Sequence, residues 1–187
     1  MPIAKYIKSC GKNIPGNKYQ FYITEVANVT SVTETSNEIS AVTMAGGAKM
    51  QRATAEIDSI QFTSEATFAT AGGHNQTLTL KFGNRSTALE TFLSSLVDGV
   101  ACGLIAVWVD NNGKAWCMGA SAAAKEGTTR PINGMTANFD SGLLITDTDV
   151  SAYTVTLTRL SGYAPLPFDS TLTAAIIGGS AAFIDWS

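Results

Sequence analysis

Residues 102–119 read CGLIAVWVDNNGKAWCMG. An apolar run, Leu104 to Val109, meets Asp110-Asn111-Asn112-Gly113, and a second apolar run follows from Ala115 to Met118. Asn-Gly between two strand-like runs signals a hairpin, because both residues tolerate positive φ. Both arms are apolar at nearly every position, so the hairpin is expected at the centre of the fold, buried on both faces.

The segment before the hairpin has helical periodicity. Leu89, Phe92, Leu93, Leu96 and Val97 form one stripe, opposite Thr91, Ser94, Ser95 and Asp98. Thr87 and Glu90 have capping-box spacing, and Gly99 supplies a stop. One helix is expected over residues 86–98, packed against a sheet. Upstream of it, Gln76 to Phe82 alternates Leu78, Leu80 and Phe82 with Thr77, Thr79 and Lys81, as a half-buried strand does.

Further strands are expected on either side. Tyr19 to Val26 is rich in aromatic and β-branched residues, and Asn28 to Thr43 reads as a hairpin interrupted at Ser36-Asn37. Ile57 to Phe68 resumes β character. After a loop over 121–134 come short strands at 135–139 and 143–146, an acidic loop at 147–149, and a strong strand from Ala152 to Leu160. There Tyr153, Val155 and Leu157 alternate with Thr154, Thr156 and Thr158. Pro165 and Pro167 exclude a central strand and mark the end of the sandwich.

Three segments lack a self-contained pattern. Residues 1–18 hold four lysines and Pro15-Gly16, and are expected as an N-terminal arm. Residues 44–56, MAGGAKMQRATAE, are expected as a long loop, with a helical turn over 49–56 as the alternative. Residues 169–187 are expected as a C-terminal arm that adds a strand to a neighbour. The fold class is therefore mainly β: one domain over 1–187, an antiparallel β-sandwich or barrel with one flanking helix and extended terminal arms.

Composition narrows the function classes. Of 187 residues, 14% are charged, well below the roughly 25% usual in soluble domains. Low charge with 45% hydrophobic residues points to surface buried in an oligomer, or to Thr, Ser, Asn and Gly as the polar coat. A net charge of −3 argues against a protein that grips phosphate backbones. The first ten residues lack the apolar core of a signal peptide, and no run approaches the ~20 apolar residues of a membrane span. The expectation is a soluble protein made in a reducing compartment. The three cysteines, Cys10, Cys102 and Cys117, have no metal-ligand spacing, and Cys102 and Cys117, in the two arms of the hairpin, are expected as buried free thiols.

No residue pattern points to catalysis. His74, the single histidine, sits beside Gly72-Gly73 and is expected in a solvated turn. GxSxG, His/Cys clusters and a phosphate-loop lysine are all missing from the sequence. Asp140, Asp147 and Asp149 do not match a calcium loop and read as an acidic turn. Trp108 and Trp116 are expected in the core, and Trp186 as an anchor in a neighbouring subunit. No catalytic residue, cofactor or metal site is expected.

The second half resembles a type of virion protein from tailed bacteriophages, especially those of Bacteroidota hosts. The run Val107-Trp108-Val109-Asp110-Asn111-Asn112-Gly113-Lys114-Ala115-Trp116, the closing Gly119, and Ala152 to Thr158 followed by Pro165 carry the likeness, over about 75–168. They resemble the core of tail tube proteins. The resemblance implies a structural virion subunit, not an enzyme, made in the host cytoplasm and incorporated in the tail. It implies rings, usually hexameric, that stack through a long loop and the chain termini and contact other tail proteins. DNA would slide through the lumen without specific binding, and no membrane would be involved. Candidate lumen positions are Thr154, Thr156 and Thr158, or Glu34 and Glu38. Lys12, Lys18, Lys49, Lys125 and Arg130 are expected at ring interfaces or outside. A capsid decoration, neck or fibre-base protein would share most of these features.

Overall fold

The computed structural model describes residues 20–56, 59–67, 73–83, 86–100, 102–110, 113–119, 141–149, 152–161 and 164–178. The N-terminal arm, the loop over 121–134, the strand expected at 135–139, Cys10, Asp140 and Trp186 lie outside these residues, as do Lys12, Lys18, Lys125 and Arg130.

The protein is mainly β, in open antiparallel sheets not closed into a barrel. The central sheet holds β1 (Gln20–Glu25), β4 (Gln51–Thr54), β7 (Leu104–Val109), β8 (Ala115–Met118) and β11 (Leu166–Pro167), in the order β11-β8-β7-β1-β4. A second sheet holds β5 (Gln61–Thr67), β6 (Gly73–Gly83), β9 (Ser141–Asp149) and β10 (Ala152–Ser161), in the order β5-β6-β10-β9. A separate hairpin pairs β2 (Val29–Thr35) with β3 (Glu38–Met44). Among the described residues there are two α-helices, α1 (Thr87–Val100) and α2 (Ser170–Gly178).

The central sheet is covered on both faces, as its apolar runs require. On one side Phe21, Ile23, Leu104, Ala106 and Trp108 pack against Leu78, Leu80, Phe82, Val155 and Leu157 of the second sheet and the stripe of α1. On the other, Tyr22, Ile105, Val107 and Cys117 pack against Val29, Val32 and Ile39 of the hairpin, with Phe168 and Leu172. Every residue of β7 is buried.

The local signals account for most elements. Ser36 and Asn37 take φ of 54° and 61°, the left-handed pair of a type I′ turn, so β2–β3 closes as a two-residue hairpin. In the central hairpin Gly113 has φ 78° and donates its N–H to the Asp110 carbonyl at 2.9 Å. The Asp110 N–H in turn reaches the Lys114 carbonyl at 2.9 Å. That is a three-residue connection with glycine in the left-handed position. Asn112 lies outside the described residues.

Several expectations are corrected. Residues 44–56 are not one long loop: Gln51–Thr54 forms β4, paired with β1 through Gln20↔Thr54 to Ile23↔Gln51. The C-terminal arm begins as a helix, because the Asp169 carboxylate accepts the Leu172 N–H at 2.7 Å and caps α2. Helix α1 runs past Gly99, and Gly103, at φ 87°, takes the left-handed position before β7. Its N-cap is Ser86, whose Oγ accepts the Leu89 N–H at 3.2 Å, so the Thr87–Glu90 capping box is displaced. The helix stripe is also shifted: Val97 is 54% exposed, while Ser95 is buried and bonded to the Phe92 carbonyl. Residues 147–149 belong to β9, His74 to β6, and Cys102 is exposed ahead of β7.

Candidate functional surface

The second sheet has one buried face and one facing away from the core. Alternation follows from register: on β6, Gln76, Leu78, Leu80 and Phe82 are buried, which turns Asn75, Thr77, Thr79 and Lys81 outward. On β10, Val155, Leu157 and Arg159 are buried, which turns Thr154, Thr156 and Thr158 outward with Leu160. Thr79 lies between Thr156 and Gln61, and Thr77 between Thr158 and Thr63. Thr154 lies between Lys81 and Thr146. Threonine suits such a surface, since its branched carbon favours extended backbone and paired threonines stabilise neighbouring strands. The result is a grid of hydroxyl and methyl groups, spaced about 4.8 Å across strands and about 6.7 Å along them.

Over β5, β6 and β10 this face is nearly uncharged. The outward positions of β5, β6 and β10 hold one acid, Glu65, and one base, Lys81. A balanced face releases few counterions from a passing polyanion and does not retain it. Among the described residues, no strand pairs with the outer edges of β5 and β9, which end the sheet with open backbone donors and acceptors. The other two candidates read from the sequence lie elsewhere. Glu34 is buried on the hairpin, and Glu38 pairs with Lys114 Nζ at 2.6 Å. The structure thus brings the three threonines together and separates both glutamates from them. Lys49 is exposed, on the segment leading into β4.

The DNNGK-x-W run is a structural clasp. Asp110 accepts the Lys114 N–H at 2.9 Å on one carboxylate oxygen and the Trp116 indole N–H at 2.8 Å on the other. The Lys114–Glu38 pair then ties this turn to the start of β3. The parallel bridge Ile39↔Phe168 and the Asp169 N–H to the Ile39 carbonyl bring α2 onto the same corner. A groove of about 480 Å³ runs there, lined by Glu38, Lys114, Asp169, Ser170 and Thr173 among others. Asp110→Ala strips two donors of their acceptor in a half-buried place. It should lower the unfolding free energy by about 1–3 kcal/mol and shift Trp116 fluorescence. A urea titration that superimposes on the wild type would remove the clasp role.

No catalytic grouping emerges among the described residues. Ser64 Oγ lies 3.3 Å from His74 Nδ1, but this pair is on an exposed strand surface and no described carboxylate orients the imidazole. No group of three or more potential metal ligands occurs among the described residues. No helix among them is long and apolar enough to cross a membrane. Trp108 stacks on Phe62 at 4.6 Å within the core, and Trp116 is half-buried beside it. The Arg159 burial, unlike these, was missed by the sequence reading, although strand parity alone places it with Val155 and Leu157. Comparison with protein-family models, characterised proteins and solved structures finds no match.

Proposed function

We propose that the chain is a structural subunit that assembles with copies of itself into stacked rings, forming the tube of a bacteriophage tail through which DNA passes. One observation carries this reading: a charge-balanced threonine face flanked by two open sheet edges. The edges along β5, seven residues, and β9, nine residues, favour addition of a strand from another copy. Joined that way, several sheets would enclose a channel with the threonine grid inside. DNA then meets hydroxyls and methyls in place of lysines. The motif resemblance in residues 107–119 and 152–158 supports the same reading, as does the low content of charged residues.

The test is negative-stain electron microscopy of the purified full chain over a range of concentrations. Rings or tubes with an open centre are expected. Monomers at every concentration would overturn the reading, and compact trimers without a lumen would favour a capsid decoration protein. Thr79→Lys combined with Thr156→Lys should still assemble but should retain DNA in a filter-binding assay at low salt.

A further inference from the structure

Two walls frame the groove beside the clasp. One carries Glu38 and Lys114, and the other is the start of α2, with Asp169, Thr171 and Ala174. Thr171 and Ala174 are exposed. From Ser170 to Gly178 the sequence of α2 holds no charged residue. The helix is therefore an uncharged ridge beside a groove of about 480 Å³.

The two walls carry opposite charges that do not meet. Asp169 caps α2 with one carboxylate oxygen, Oδ1, and no described group donates to the other. Lys114 gives one of its three donors to Glu38 at 2.6 Å and is still 42% exposed. Among the described residues no ion pair joins Lys114 to Asp169 across the gap. An occupant that suits this groove brings a cation to Asp169 and an anion to Lys114, with neutral surface between them. The chain itself has that combination. A two-fold axis at the groove sets Lys114 opposite the partner's Asp169, and Asp169 opposite the partner's Lys114. It also lays each uncharged α2 ridge along the groove of the other copy.

We propose that this groove is a two-fold docking surface for a second copy of the chain, held by reciprocal Lys114–Asp169 pairs. The groove lies on the hairpin side of the central sheet, across from the second sheet and its threonine face. The contact is thus separate from strand addition at β5 and β9, and it closes at two copies. Absence of rings leaves it standing.

Cysteine cross-linking of the full chain tests it, in a background with Cys10→Ser and Cys102→Ser. Ala174→Cys should form disulfide-linked pairs under mild oxidation, about tenfold or more faster than Ala88→Cys, an exposed position on α1. Adding Asp169→Asn removes the charge yet keeps a residue that caps a helix well, and circular dichroism should show α2 retained. With both reciprocal pairs lost, the Ala174→Cys rate should fall about tenfold, and high salt should lower it likewise. Equal rates at positions 174 and 88 would overturn the docking surface, whatever else fills the groove. An Ala174→Cys rate unchanged by Asp169→Asn would overturn the reciprocal pairs that define it.

Discussion

Gly119→Ala should destabilise the protein by about 3–5 kcal/mol, more than any other single methyl added to a glycine described above. Two effects add at this position. Gly119 has φ +99°, a conformation that side chains resist. A Cβ there would also lie 2.6 Å from the Leu104 carbonyl oxygen and 3.0 Å from the Ile105 Cα. Both are backbone atoms of β7, which is held by β1 on one side and β8 on the other, so neither can yield. Gly47→Ala separates the two effects, because Gly47 has φ +83° and nothing within 4 Å of its Cβ position. It should lose only the conformational part, about 1–2 kcal/mol. Urea unfolding of both variants gives the comparison. Equal losses would mean that the close approach to β7 has no energetic weight.

Phe92→Ala should cost about 3–5 kcal/mol. Phe92 is fully buried and meets the Phe82 ring edge-on, with centroids 5.6 Å apart and planes at 65°. This contact fastens α1 to the second sheet. A second link lies at the surface, where the Tyr153 hydroxyl donates to Glu90 at 2.7 Å. Phe82→Leu and the double variant complete a cycle, whose coupling should be about 0.5–1.5 kcal/mol. A coupling near zero would leave the rings as mere volume.

What was legible in the sequence was local. The central hairpin follows from Asn-Gly between apolar runs, β6 and β10 from strict alternation, and α1 from its stripe. Elements decided by distant partners were not legible. Gln51-Arg52-Ala53-Thr54 has no strand pattern of its own and becomes β4 because β1 offers it an edge. There Arg52 lies opposite Tyr22, whose hydroxyl is buried deeply enough to hold its pKa far above the ordinary value despite that guanidinium. Helix α2 is hidden in the sequence because Ser170-Thr171-Leu172-Thr173 favours extended backbone, and the signal that outweighs it is a single capping residue, Asp169. The threonine grid was half legible: parity showed which threonines share a face, while the pairing that sets Thr156 beside Thr79 needed the fold.

The strand order of the central sheet also sets a timetable for synthesis. Hairpins β2–β3 and β5–β6 join neighbours in sequence and can close as they leave the ribosome. Strand β1 cannot, because Glu25 must wait for Leu104 and Phe21 for Trp108. Until β7 emerges, Phe21, Tyr22 and Ile23 lack the strand that pairs with β1 on its inner side, although they are among the most buried residues of the finished protein. The first of the described strands therefore waits longest for its partner, and it is a segment that chaperones would shield and that fast overproduction would drive into aggregates.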